Sequence, residues 1–502
     1  MAAVGATLLI PPVRAQEASR LGTAAGAAGT PQRFTTHPAA PPNATTPTGL
    51  GPKTLSEALA ASYANNPQLQ AARAQLRSVD ENVPQALAGW RPTVVVAGTA
   101  GYGDGYYRQF GTTVDPTTGQ RIGGYNNSRQ DRDVATAQAT VTQPLYRGGR
   151  TRATTNRAEN QVRAQRARLI AQEQSTFTDT INAYVGVIEA QEVLALDVNN
   201  TRVLAKQLQA TNDRFRVGEI TRTDVAQAEA ALAGATATQQ TAEGNLATSR
   251  ATYQRVIGYL PPGNLVEPQP LRLPAKTEAE AVTLASSNNP NVVAAQFDDS
   301  SAKDAVDVAF SALMPNLSLQ GQTFQQNNSA VARTRINGYE VLAQLSVPLY
   351  QGGAEYSAVR QARQQEQQAR KTLDDARRAA TQQAIQAWET LDAARATVES
   401  TRSAIRANQI ALEGVEREAI VGSRTTQDVL NQQQQLLNSE VTLVQNLANL
   451  VTASYTVAAA VGRLTARDLN LPVPLYDETA YYNDVRDRWT GTGDYATGQP
   501  GR

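Results

Sequence analysis

The sequence predicts a duplicated helix-and-hairpin fold: two structural repeats, each with long antiparallel helices and one two-stranded β-hairpin. Three observations predict it. Motifs of the first half recur in the same order in the second. Stretches of apolar–polar alternation lie between prolines in each half. After each pair of stretches comes a proline-free segment; the first, from Gly149 to Val217, would make a helix of roughly 100 Å at 1.5 Å per residue.

The duplication holds in detail. Thr54 opens a segment that reaches Asn65-Asn66-Pro67, and Thr277 opens one that reaches Asn288-Asn289-Pro290, an offset of 223 (277 − 54). Pro92 and Pro315 keep that offset. Further on, Pro144-Leu145-Tyr146 with Gly148-Gly149 recurs as Pro348-Leu349-Tyr350 with Gly352-Gly353, where the offset has become 204 (348 − 144). The same 204 relates Gly218 to Gly422, Asp224 to Asp428 and Gly258 to Gly462. The first half is therefore longer by the difference (223 − 204 = 19), and the whole insertion lies between Pro92 and Pro144. An insertion that leaves everything after it in register reads as a surface loop, here the segment with Gly101, Gly105 and Asp115-Pro116.

Residues 1–15 read as the end of a secretory signal: an apolar stretch from Ala2 to Ile10 meets a small-residue site at Val13-Arg14-Ala15. The positive start such signals carry is missing, which fits a start lying upstream. Residues 16–52, rich in Pro, Ala, Thr and Gly, read as a flexible leader. The first repeat is expected over 53–262, a linker over 263–276, the second repeat over 277–464 and a polar tail over 465–502.

Within each repeat, Thr54 or Thr277 caps a first helix with acids in its opening turn. Hairpins follow at about 93–143 and 316–347. Ala135, Ala137, Ala139 and Val141 alternate with Thr136, Gln138, Thr140 and Thr142; Tyr339, Val341, Ala343 and Leu345 alternate with Glu340, Gln344 and Ser346. Pro92, Pro144, Pro315 and Pro348 mark the hairpin ends, where Pro144 and Pro348 are expected to stop a strand because they cannot donate to its ladder. In the long helix, Phe177, Ile181, Tyr184 and Ile188 form a seam that Ile385 and Trp388 repeat. Gly218 and Gly422 break the helices, and return helices run from about Thr221 to Ile257 and Thr425 to Val461.

Composition narrows the chemistry. Acids (45) and bases (46) nearly balance, so no phosphate-binding face and no nucleic-acid partner is indicated. The sequence holds no cysteine, which excludes zinc–thiolate sites, disulfides and a cysteine nucleophile. Its one histidine, His37, sits in a Pro/Thr-rich stretch and reads as a linker residue. No phosphate loop, metal-ligand cluster or triad is present, so neither an enzyme nor a cofactor is expected. No apolar run reaches the 18 or so residues of a membrane helix, so a membrane role must use strands. Four strands cannot close a barrel, because an open edge in lipid leaves backbone groups unpaired and about eight strands are the minimum. The strands therefore demand an oligomer.

The Asn-Asn-Pro turns, the Pro-Leu-Tyr-x-Gly-Gly junctions and the Val-Gly motifs at Val217-Gly218 and Val421-Gly422, over about Thr54 to Gly462, are similar to the TolC family of outer-membrane export channels. The resemblance implies a mixed membrane protein: a homotrimer whose hairpins close a twelve-stranded transmembrane β-barrel continuous with a twelve-helix periplasmic α-barrel tunnel. It places the insertion at the cell surface and a gate after the glycine breaks. It implies that Arg424 pairs with Asp224 of a neighbouring helix and that Asp428 rings the pore with carboxylates. This sequence departs at Ala419, where a gating tyrosine is common, and at Asn431, where a second aspartate is common, so its negative ring is weaker.

The implied partners are further copies of the chain, a periplasmic adaptor (membrane fusion) protein, an inner-membrane ABC or proton-driven transporter, and outer-membrane lipid. The aromatic tail around Tyr481, Tyr482 and Trp489, with the missing acylation cysteine, resembles type I protein secretion channels; multidrug efflux is the alternative. A soluble periplasmic coiled-coil or adaptor protein is the competing reading from another class.

Overall fold

The computed structural model describes residues 51–329 and 333–493. The readings of residues 1–15, of the leader as far as residue 50, of His37 and of residues 494–502 fall outside them.

Each half opens with two helices where the sequence predicted one. α1 (Leu55–Asn65) and α2 (Pro67–Asp80) meet at Asn66, and a short α3 (Asn82–Leu87) follows. Proline at the first position of α2 sets where it starts. The Asn66 carboxamide oxygen then accepts the Gln68 amide at 2.9 Å, satisfying one of the free N–H groups of the new helix.

The strands are β1 (Thr93–Val114) and β2 (Arg121–Arg147). The long helix α4 spans Arg150–Arg216, and α5 returns over Arg222–Ile257. The second half repeats this with α6 (Glu278–Asn288), α7 (Pro290–Phe310), β3 (Asn316–Asn327), β4 (Arg335–Ser346), α8 (Ala354–Ile420) and α9 (Thr426–Ala460), before a short α10 (Ala480–Val485) in the tail. Asn289 caps α7 as Asn66 caps α2. Both asparagines also reach back: Asn66 Nδ2 donates to the Val256 carbonyl at 3.2 Å near the end of α5, and Asn289 Nδ2 to the Ala460 carbonyl at 3.1 Å at the end of α9. The repeated Asn-Asn-Pro turn thus ties each short helix pair to the end of its return helix. Gly462 lies so close to Asn288 that a Cβ would meet the Asn288 carbonyl oxygen at 2.4 Å.

The four strands form one antiparallel sheet in the order β1-β2-β3-β4, with β1 and β4 as open edges. The insertion is a strand extension, which corrects the expected loop. All of β1 pairs with β2, from Thr93↔Thr142 to Val114↔Arg121, and all of β3 pairs with β4, from Asn316↔Ser346 to Asn327↔Arg335. The first ladder is much the longer, since β1 has 22 residues and β3 has 12. Its extra rungs, with a connection one residue shorter, account for the whole insertion. Pro144 also departs from expectation, for β2 runs on to Arg147. The ladder to β3 slips between Pro144 and Tyr146, and a bulge is where a strand accepts proline. Pro348 lies just past the end of β4, while Pro92 and Pro315 immediately precede β1 and β3.

Helices α4 and α8 are each 67 residues, about 100 Å long. The main core gathers Phe177, Ile181 and Tyr184 of α4 against Leu59, Tyr63, Leu76, Tyr253 and Leu464. The Tyr184 hydroxyl lies 2.6 Å from the Lys53 carbonyl and 2.8 Å from the Val266 carbonyl and shares its one hydrogen between them, fastening the linker over the helices. The seam is not copied by α8. Ile385 is 38% exposed, and the buried residues there are Ala384, Ala387 and Leu391. The tail is less free than its polarity implied: Val485 is buried, Tyr481 donates to Glu81 at 2.7 Å, and Arg91 stacks on Trp489 at 5.0 Å. Among the described residues no helix is long and apolar enough to cross a membrane.

Candidate functional site at the paired helix turns

The two helix turns, α4 to α5 and α8 to α9, are built alike. Gly218 and Gly422 adopt φ of 79° and 80°, a left-handed conformation that glycine enters without a Cβ penalty. Around them the chain closes Schellman motifs. The Glu219 amide donates to the Arg214 carbonyl (3.0 Å) and Gly218 to Phe215 (2.9 Å); Ser423 donates to Glu418 (3.0 Å) and Gly422 to Ala419 (3.2 Å). These bonds satisfy carbonyls that a helix end otherwise leaves free.

The return helices then start with capping boxes. Asp224 Oδ2 accepts the Thr221 amide at 3.0 Å and its hydroxyl at 2.7 Å; Asp428 Oδ2 accepts the Thr425 amide at 3.0 Å and its hydroxyl at 2.9 Å. The Thr221 hydroxyl and amide hold the Asp224 carboxyl below the usual carboxylate range, with Arg214 adding to the effect. The Thr425 amide and hydroxyl do the same for Asp428, helped by Arg424. Both acids are therefore anionic at neutral pH and fixed at the tips.

The ion pairs at the tips differ. Arg214 bonds Glu219 through Nε (2.9 Å) and Nη2 (2.5 Å). Arg424 donates through Nε to Glu418 at 3.0 Å. Within this chain Arg424 thus meets Glu418, and the expected pair with Asp224 does not form. The Schellman turn folds Arg424 back over the last turn of α8, while the Asp224 carboxylate serves its own cap. In register, Glu418 stands where the first half has Arg214, so the repeat reverses the sign of the residue at the helix end. A cation there suits the negative end of the helix dipole; an anion needs a partner, and Arg424 supplies it. Sequence reading missed Glu219 and Glu418 because their pairing depends on the turn between the partners. Asn431 accepts from Gln427 Nε2 at 2.8 Å on the face of α9.

The turns are carried side by side. Leu204 of α4, Ala235 of α5 and Leu430 of α9 form a buried cluster that holds the first helix pair against the second. Beyond it, apolar side chains stand uncovered at the tips: Val217 and Val421 are 78% exposed and Ile420 is 77% exposed. Among the described residues no group of His, Asp or Glu is placed to hold a metal ion. The arrangement offers fixed charge and exposed apolar side chains at the helix tips.

Comparison with known proteins agrees with this architecture. The family described as "Outer membrane efflux protein" matches residues 58–259 and 281–463. The chain is 34% identical to the outer membrane efflux protein BepC of Brucella suis over 88% of its length and 92% of BepC. It is 26% identical to the outer membrane protein TolC of Vibrio cholerae over 69% of this chain and 82% of TolC. The crystal structure of the outer membrane protein VceC from Vibrio cholerae superposes with a TM-score of 0.67 at 19% identity, covering 81% of this chain and 96% of VceC. Two repeats of hairpin and long helices, matched over most of both halves, place the chain in the outer membrane efflux protein family of TolC-like channels, passive conduits of the Gram-negative outer membrane.

Proposed function

We propose that the chain is the exit duct of a tripartite export system, working as a homotrimer with a periplasmic adaptor and an inner-membrane transporter. One observation carries the reading: four strands end in two open edges, β1 and β4. In lipid those edges must pair, and β4 of one copy with β1 of the next closes a ring. Three copies give twelve strands and continue the wall into a tunnel of α4, α5, α8 and α9. Outward-facing Val96, Tyr339, Val341 and Leu345, all exposed in the single chain, are the surface that lipid covers.

The paired turns are the gate of this duct. Asp428 lines its narrow mouth as a carboxylate ring, Asp224 stands at the neighbouring tip, and Arg424 braces the α8–α9 turn through Glu418. Asn431 in place of a second acid keeps the ring's charge low. The cargo is secreted protein, delivered by an ABC transporter; the aromatic tail around Tyr481 and Trp489 supports this. Multidrug efflux through a proton-driven pump is the second reading, and the name of BepC, an outer membrane efflux protein, supports efflux.

Arg424→Ala should raise the conductance of the closed channel in a planar bilayer, and an unchanged conductance would remove the brace. Deleting the gene and scoring protein secretion beside drug susceptibility separates the two cargo classes: loss of secretion with unchanged susceptibility supports secretion, and the reverse supports efflux.

A further inference from the structure

Registering the sheet face by face isolates three charges. One face of the four strands carries Val94, Val96, Ala139, Val141, Val341 and Leu345. The other carries the side chains of alternate residues, among them Thr140, Gln138, Gln322 and Glu340, aligned rung by rung. Along β2 and β3 the second face is the sheltered one: Gln138, Thr140, Gln322 and Phe324 are half-buried while Ala137, Thr323 and Gln325 are exposed. It is therefore the concave side, the lumen of a closed barrel. Phe324 and Tyr107 lie on this side, whereas Tyr102, Tyr106 and Tyr125 share the outward face.

Among the described strand residues, the concave face holds one acid, Glu340, and two bases, Arg132 towards the tip and Arg147 at the foot of the hairpin. Both bases are far from Glu340. Glu340 pairs with Gln322, and Gln322 with Thr140, which lies about 26 Å along β2 from Arg132 at the usual strand rise. Arg147 pairs with Asn316, about 20 Å along β3 from Gln322 at the same rise. Both separations exceed the Debye length of about 8 Å at physiological salt, so neither base neutralises Glu340. Arg132 is engaged elsewhere, donating to the Ser329 carbonyl at 3.1 Å and stacking on Tyr107 at 4.8 Å.

A hydrogen-bonded row holds Glu340 against the wall. Gln138 Nε2 donates to Gln322 Oε1 at 2.7 Å, and Gln322 Nε2 donates to the Glu340 carboxylate. Along the strand the next residue is Tyr339, which points outward, so Glu340 lies inside the part of the barrel that lipid surrounds. The strand that must close against β4 is β1 of the next copy. Its concave positions, alternate residues from Thr93 to Thr113, are Thr, Val, Ala, Gly, Tyr and Gln, with no cation in any register.

We propose that Glu340 is the charge-selecting residue of the barrel wall: repeated in each copy, it forms an acidic ring within the transmembrane segment that favours cationic solutes on the way out. This rests on the trimeric duct proposed above. A carboxylate in a narrow pore with low-dielectric walls concentrates counter-ions and repels anions, and no opposing charge on this face lies near enough to cancel it. The ring is separate from Asp428, which sits at the other end of the long helices.

Reversal potentials in a potassium chloride gradient test the proposal. E340Q should lower the cation-over-anion permeability ratio about twofold or more, E340K should reverse the preference, and E340D should keep the wild-type ratio. The chain has no cysteine of its own, so E340C can be labelled in whole cells by a charged, membrane-impermeant thiol reagent, with Y339C as the lipid-facing control. Reaction at position 340 and protection at 339 is expected. An unchanged ratio in E340Q, or labelling at 339 with protection at 340, overturns the assignment. Lack of any wild-type trimer or conductance would instead sink the duct itself.

Discussion

The two halves of the chain share one backbone plan and divide the work of packing unequally. Helix α4 buries 20 of its 67 residues and α8 buries 9 of its 67. α4 spends Phe177, Ile181 and Tyr184 on the core of its own protomer. α8 packs inward through alanines and leaves Ile385, Tyr356 and Ile410 uncovered. The hairpins differ as well, the first being nearly twice as long as the second. Duplication copied the turns, caps and helix lengths, which are backbone properties, while the side chains diverged toward different neighbours. In the proposed trimer, the uncovered face of α8 is where the next copy packs.

The sharpest test of this inequality compares Ile181 and Ile385, the same residue type at positions in register. Ile181→Ala should cost about 2–5 kcal/mol in denaturant unfolding of the detergent-solubilised protein, since the side chain is wholly enclosed. Ile385→Ala should cost under about 1 kcal/mol in the protomer and show itself as weaker trimers on native gels. Equal losses would erase the distinction between the halves. The Asn-Asn-Pro turns offer the opposite expectation. Asn66→Ala and Asn289→Ala each remove a cap and a tie to the return helix, and each should cost about 1–2 kcal/mol. A large difference between them would mean that the duplicated turn no longer has a duplicated role.

A smaller effect sits where the repeats disagree in charge. In register, Asp80 of the first half corresponds to Lys303 of the second. Lys303 has a partner, Asp299, at 2.5 Å. Asp80 is 1% exposed, and burial pushes its carboxyl up to about 7 against the opposing charge of Arg166, with Glu81 and Glu478 adding to the rise. The folded chain therefore takes up a proton between pH about 4 and about 7 that the unfolded chain does not, so stability falls as pH rises through that window. Asp80→Asn should flatten this dependence, raising the melting temperature at pH 8 and leaving it nearly unchanged at pH 4. A variant that melts in parallel with the wild type at every pH would show that Asp80 does not titrate there.

Much of this was legible in the residues. Local rules wrote the caps at Thr54 and Thr277, the glycine breaks at Gly218 and Gly422, and the alternation of the strands, because each depends on neighbours within a few positions. The repeat arithmetic located the insertion for the same reason. The candidate gate was half legible: its residues could be placed at the turns, but the partner of Arg424 depended on how a Schellman turn folds the chain back.

Sequence alone thus determined the duplication and the succession of hairpin, long helix and return helix in each half, and it is the ground for expecting more than one copy. Four alternating strands are too few to seal a wall, whatever their side chains. Tertiary structure decided that the insertion lengthens a hairpin, that Pro144 rides in a bulge, that α8 turns Ile385 outward, and that Glu340 faces the concave side with no opposing charge nearby. Those outcomes depend on which groups meet across the sheet or between helices, and contacts between distant segments leave no periodic mark on either one.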